Sequence, residues 1–456
     1  MSPFQGHLDR DDKKLNEVRH KHLLDVLKYL KTQKRDFDFL IRHPQEEYKQ
    51  VKKSFKQLNK IGEVKHQFKH IPYFLVRLSG EDAQNLYDLI NQKASKRITK
   101  KYSSLDNLID SIEAPFRFSK QDYQLDDFNF PKTYAGYQAG QRWNLKNIMA
   151  YDAQEITKGA NTNIAILDTG VDYDHPELSS RFGHNKGENF TGPGAPLDRN
   201  GHGTHVAGIC AGETTGVAPE ATLYAVKVLD DGGHGTDYEI ILGLEWAIDN
   251  DIEVVNMSLG APSATHALEE VCRMAKQKGI ALVAAAGNDG FGPSYPASFD
   301  SVISVAAVDE ANEHAYFSNI YNTTEISAPG VDIVSTYPGG QYYSMSGTSM
   351  ASPHITGAIA LYLSRAEPNK KQEYRERLSA TAFPLFFDSE YPNEWIFGAG
   401  LVQADELVKS TLSGLLNNVY AKTRYLKGYD IENKIDRLKA HISKRHNKMK
   451  RTYGAD

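Results

Sequence analysis

Cysteine is nearly absent from this sequence: Cys210 and Cys272 are the only two in 456 residues. Two thiols cannot staple a disulfide framework, so the fold must rest on a packed core. The pair reads as two small buried hydrophobes in a reducing compartment. Long apolar runs are missing too. No stretch approaches the roughly 20 residues that a bilayer requires, so no membrane partner is expected. Met1 to His7 run straight into Asp9-Arg10-Asp11-Asp12-Lys13-Lys14, without the apolar centre of a secretory leader. A cytoplasmic location is therefore expected, with non-classical export left open. A strong charge of one sign is also lacking, since the formal net charge of -5 is small for this length. The charge is uneven, however: residues 411–456 hold eleven Lys and Arg against four Asp and Glu. Without a nucleic-acid motif, this basic tail reads as a solvated helix face, and no nucleic-acid partner is expected.

What is present fits a globular protein, with 40% apolar and 24% charged residues. The length suits one large unit with smaller appendages. Residues 1–35 form an N-terminal extension, in which Leu15, Val18, Leu23, Val26, Leu27 and Leu30 recur at the spacing of one amphipathic helix. Over 36–102 the pattern runs strand (Phe37–Ile41), helix (Tyr48, Val51, Phe55, Leu58), two strands (Val64–Ile71, Tyr73–Leu78) and helix (Gly80–Asn91). The Arg97-Ile98-Thr99 run supplies a last strand, giving a small α+β, ferredoxin-like split βαβ domain. Residues 103–140 are irregular and read as a linker. From 141 to 410 short apolar runs alternate with helical patterns: Ile164–Leu167, Leu223–Val228, Val254–Met257, Ile280–Ala286 and Val302–Val305. That alternation predicts an α/β architecture with a parallel sheet covered on both faces by helices. Sites in such sheets lie beyond the carboxyl ends of the strands.

Three segments there combine a reactive side chain with glycines. Ala165-Ile166-Leu167-Asp168-Thr169-Gly170 is an apolar strand ending on a carboxylate. Asn200-Gly201-His202-Gly203-Thr204-His205-Val206-Ala207-Gly208 sets a histidine among small residues at a helix start. Ser346-Gly347-Thr348-Ser349-Met350-Ala351-Ser352-Pro353-His354 sets a serine before an apolar helix. In this order the three resemble the signature blocks of the subtilisin-like serine proteases, the S8 peptidases, over Gln141–Glu406. The resemblance implies a three-layer fold with a central parallel sheet. It makes Ser349 the nucleophile, His202 its general base and Asp168 the acid that orients the imidazole, the arrangement by which a serine hydroxyl attacks a carbonyl.

Further roles carry over motif by motif. Val283-Ala284-Ala285-Ala286-Gly287-Asn288 resembles the block whose asparagine stabilises the oxyanion, which points to Asn288. Ser258, Leu259 and Gly260 with Ala285, Ala286 and Gly287 resemble the walls of the primary specificity pocket, with Ser294 near its base. Gly233, His234 and Gly235 resemble the edge that pairs with an extended substrate. The resemblance thus implies an endopeptidase for unfolded or flexible polypeptides, with an apolar side chain expected in the primary pocket. It assigns packing roles to His205, His354, His175, Ser346 and Ser352.

The chemistry needs no cofactor. Asp172, Asp174 and Glu177 are candidates for a structural calcium ion, with a solvated acidic turn as the alternative. The stretch Ile209–Pro219 is short where secreted members insert a calcium loop, so their tight site is expected to be absent. Residues 36–102 resemble the subtilisin propeptide, which implies a zymogen inhibited by its own N-terminal domain and cut within residues 102–142. Two other functions stay open: a maturation protease dedicated to one client, and a catalytically silent binding scaffold.

Overall fold

The computed structural model describes residues 5–32, 36–43, 48–102, 105, 109–122, 142–387 and 389–409. The basic tail after residue 410 and most of the 103–140 segment lie outside them. Two compact units form: Met1–Arg117 with Thr236–Trp246 and Ser263–Met274, and Phe118–Gly235 with Ala247–Pro262 and Ala275–Asp456.

The first unit begins with helix α1 (Gln5–Thr32), followed by β1 (Asp36–Arg42), α2 (Tyr48–Leu58), β2 (Glu63–Gln67), β3 (Tyr73–Ser79), α3 (Gly80–Ile90), α4 (Lys96–Lys101) and β4 (Ser111–Glu113). The strands form an antiparallel sheet ordered β2-β3-β1-β4. Residues two apart on a strand share a face. Phe39 and Ile41 of β1 therefore join Phe74, Val76 and Leu78 of β3 in one core with Leu23, Leu27 and Leu30 of α1 and Leu86 of α3.

Arg97-Ile98-Thr99 is not a strand but lies in α4, where the Ser95 hydroxyl caps the helix by accepting from the Ile98 N–H. A serine cap and the basic residues that follow it favour helix. The closing strand is β4 instead, pairing Leu40 with Glu113 and Ile41 with Ile112 inside the segment read as irregular. Three residues are too few for periodicity to reveal. The same segment holds a further strand, β5 (Arg117–Lys120). Strand β2 also stops at Gln67, short of Ile71.

After β5 come α5 (Trp143–Asn147), α6 (Ala150–Gln154), β6 (Asn163–Asp168), β7 (Gly187–Asn189), α7 (His202–Ala211), β8 (Thr222–Lys227), β9 (His234–Thr236), α8 (Asp237–Asp249), β10 (Val254–Met257), β11 (Leu259–Gly260), α9 (His266–Gln277), β12 (Ala281–Ala285), β13 (Ile303–Val308), β14 (Thr324–Pro329), β15 (Ile333–Tyr337), β16 (Gln341–Met345) and α10 (Thr348–Leu363). Seven of the strands make a parallel sheet ordered β14-β13-β12-β10-β6-β8-β7. Its central strands are buried on both faces and so read as unbroken apolar runs. Every residue of α7 and of α10 is buried. Helices apolar all round belong in a core rather than on a surface.

Within the first unit the opening turns of α8 and α9 are held by carboxylates. Asp237 accepts from the Thr265 N–H at 3.1 Å and its hydroxyl at 3.0 Å, and burial pushes its carboxyl up to about 7. Glu113 accepts from the His266 N–H at 2.7 Å. Arg19 of α1 donates to the carbonyls of Ala264 at 2.6 Å and Thr265 at 3.2 Å and pairs with Glu269 at 2.7 Å. Among the described residues, no helix is long and apolar enough to cross a membrane.

Candidate active site

Strands β12, β10 and β6 are neighbours in the parallel sheet, so their carboxyl ends open at one place. Asp168 ends β6, Ser258 follows β10, and Ala285 ends β12 just before Gly287 and Asn288. His202 and Ser349 arrive from the first turns of the buried helices α7 and α10.

Asp168 and His202 form a buried pair. The imidazole Nδ1–H donates to Asp168 Oδ1 at 2.7 Å, and the same oxygen accepts from the Thr169 N–H at 2.7 Å. This leaves Nε2 as the basic nitrogen, and it has no hydrogen-bond partner among the described residues. The Ser349 hydroxyl donates instead to the Ser258 carbonyl at 2.9 Å. Asn288 is held by its oxygen, which accepts from the Thr348 N–H at 2.9 Å and the Thr348 hydroxyl at 2.8 Å. Its Nδ2 is buried without an acceptor among the described residues. An amide fixed at one end and unsatisfied at the other is a preorganised donor, the requirement for stabilising an oxyanion.

Three residues expected to line the primary pocket, Gly260, Gly287 and Ser294, also converge. A Cβ on Gly260 would collide with Ser294 Oγ, and one on Gly287 would reach Ser294 Cβ at 2.9 Å, so Ser294 lies between the two walls. Gly233, His234 and Gly235 flank β5, in a small sheet ordered β11-β5-β9.

His205, His354 and His175, expected to pack rather than react, are buried with hydrogen-bond partners. Burial pushes His205 down to about 3, and its Nε2–H donates to the Ile333 and Tyr343 carbonyls, both at 3.0 Å. Burial takes His354 down to about 4; its Nδ1–H donates to the Met350 carbonyl and its Nε2 accepts from Asn144, each at 2.8 Å. His175 bonds the Gln341 carbonyl at 3.1 Å, Ser346 accepts from the Asp332 N–H at 2.8 Å, and Ser352 donates to Asn256 at 2.8 Å. Both cysteines are buried free thiols.

Asp172, Asp174 and Glu177 are not gathered into a cation site. Asp172 accepts from the Gly339 N–H, while Glu177 is taken up by Thr214 and Tyr342. No group of three or more metal-ligating side chains occurs among the described residues.

Two residues at the site escaped the sequence reading. Asp198, 3% exposed, accepts from the Thr169 hydroxyl, the N–H groups of Asn200, Gly201 and Thr204, and the Thr204 hydroxyl, all within 2.6–2.9 Å. It thereby fixes the turn that presents His202. Its signal is an aspartate before Asn-Gly and a helix start. Asn256, fully buried, donates to Ser258 Oγ at 2.9 Å and accepts from Ser352 and Thr356. An asparagine inside the apolar run Val254–Met257 was its signal.

A model of the subtilase family matches residues 159–419 of this chain, more than half its length. The chain belongs to the subtilase family. The subtilase is 45% identical over 260 residues to "Subtilisin DY" of Bacillus licheniformis, covering 54% of this chain and 91% of that relative. It is 43% identical to "Subtilisin" of Bacillus pumilus, covering 54% of this chain and 90% of the relative. Against "Subtilisin NAT" of Bacillus subtilis subsp. natto it is 44% identical, with 54% of this chain and 65% of the relative covered. This subtilase is a serine-type endopeptidase, a hydrolase acting on polypeptides.

Proposed function

We propose that Ser349, His202, Asp168 and Asn288 carry the peptide-bond hydrolysis and that the enzyme is made as a self-inhibited precursor. The observation that carries the catalytic assignment is the 2.7 Å contact between His202 Nδ1 and Asp168, which leaves Nε2 free to act as base. The Ser349 hydroxyl leaves the Ser258 carbonyl and turns to Nε2. Its oxygen attacks the scissile carbonyl while the imidazole takes its proton, and Asp168 stabilises the imidazolium. The Asn288 amide and the Ser349 N–H receive the oxyanion. His202 then returns the proton to the leaving amine, and water releases the acyl group by the same route.

Self-inhibition is supported by β5, which fills the groove between β11 and β9 where an extended substrate would add as a strand. The groove recognises backbone, which favours unfolded or flexible polypeptides over a single folded client.

Ser349→Ala in the full chain tests the assignment. Hydrolysis of unfolded casein should vanish. Hydrolysis that survives overturns it.

A further inference from the structure

The segment after Phe118 does more than cover the groove. Ser119 pairs with Gly260 and Lys120 with Leu259, and the Lys120 N–H donates to the Gly233 carbonyl at 3.1 Å. Next, the Gln121 N–H donates to the Ser258 carbonyl at 3.2 Å, and the Gln121 carbonyl oxygen accepts from the Ser349 N–H at 3.1 Å. That carbonyl therefore rests on a donor assigned above to the oxyanion, beside the nucleophile.

The Gln121 side chain occupies the primary pocket. Its Nε2–H donates to the Gly260 carbonyl at 3.2 Å, and a Cβ on Gly260 would approach Nε2 to 3.1 Å while colliding with Ser294. The missing Cβ opens the space that the amide fills. A Cβ on Gly233 would likewise meet Lys120 Cδ at 2.9 Å. Lys120 and Asp122 form an ion pair at 2.7 Å across the Gln121–Asp122 bond. Phe118 is fully buried.

We infer that Gln121–Asp122 is the bond this enzyme cuts in its own chain, and that its primary pocket selects glutamine. This rests on Ser349 being the nucleophile. Ser349 Oγ bonds to the Gln121 carbonyl carbon and the C–N bond to Asp122 breaks, the serine proton passing through His202 to the Asp122 amine. Water then cleaves the ester, leaving a Gln121 carboxylate and free Ser349. The pocket presents a buried carbonyl acceptor where the resemblance led to an apolar expectation. A carboxamide satisfies it. A glutamate carboxylate has no hydrogen to offer, and an apolar side chain leaves that carbonyl with its strand partner Ser119 alone.

Intact-mass analysis of the full-length wild type beside Ser349→Ala tests the bond. The wild type should yield a fragment ending at Gln121 and one beginning at Asp122, while Ser349→Ala keeps the full mass. Casein hydrolysis that depends on Ser349, with the chain uncut or cut at another bond, overturns this inference and leaves the catalytic assignment standing. The pocket is tested on the wild-type enzyme with Phe-Ser-Lys-Gln, Phe-Ser-Lys-Glu and Phe-Ser-Lys-Leu peptides bearing one fluorogenic amide. The glutamine peptide should show a kcat/KM about 10- to 100-fold above the other two. Equal or reversed rates overturn the glutamine preference.

Discussion

The Ser258 hydroxyl donates to the carbonyl oxygen of Ser349 at 2.8 Å. In an α-helix that carbonyl would accept from the N–H four residues on, but residue 353 is a proline inside α10 and has no N–H. The helix that carries Ser349 therefore lacks one rung, and the neighbouring strand end fills it. The same Ser258 offers its own carbonyl to the Ser349 hydroxyl, so one residue holds both ends of the serine.

Ser258→Ala should strand that buried carbonyl and destabilise the fold by about 1–3 kcal/mol. Adding Pro353→Ala restores an N–H at the right position and should recover much of the loss. Urea unfolding of the two single variants and the double variant reads the coupling. Strictly additive effects would refute the link.

Asp168→Asn should lower kcat by about 10⁴ with the fold intact, because the asparagine amide no longer holds His202 in the required tautomer. Asn288→Ala should cost about 10²–10³ in kcat, the magnitude known for an oxyanion-hole donor in subtilisin itself. Initial rates on one peptide substrate separate these losses from any change in KM.

Asp198→Asn should unfold the enzyme more readily by about 3 kcal/mol, since an NH₂ group then faces donors that met a carboxylate oxygen. Because the His202 turn hangs on this residue, kcat should fall as well. A thermal melt unchanged from wild type would show that the five contacts carry little.

Acid should weaken the fold through His205 and His354. Both are held neutral, at about 3 and about 4, whereas the unfolded chain takes up their protons near 6.5. Below pH 6.5 the unfolded state binds more protons, so stability present at pH 7 falls as pH drops towards 4. The two histidines contribute a limiting slope of about 2.7 kcal/mol per pH unit. Asp237, raised to about 7, offsets part of the total in the opposite direction over the same range. His354→Gln should halve the histidines' share in unfolding curves taken from pH 7 to pH 4.5.

Much of this was readable locally. The leucine spacing of α1, the apolar stretches of β1 and β3 and the apolar runs of the central sheet each announce an element, because the pattern follows from which faces are buried. Asp168, His202 and Ser349 stood out since each sits beside glycines at a strand end or helix start. Strand β4 and the helix at Lys96–Lys101 were misread, the first being too short for a pattern and the second resting on a single capping serine. Asp198 and Asn256 were passed over because their worth lies in partners: Thr169 is 29 positions from Asp198, and Thr356 is 100 from Asn256.

The family was legible in the sequence alone, since Asp168, His202, Ser349 and Asn288 each stand in a short local block of the chain. Tertiary structure decided what those residues meet. Only the fold shows that Pro353 leaves a carbonyl for Ser258 to satisfy, and that Gln121 lies against Ser349. Hydrogen bonds that close over 91 or more positions leave no periodic trace along the chain.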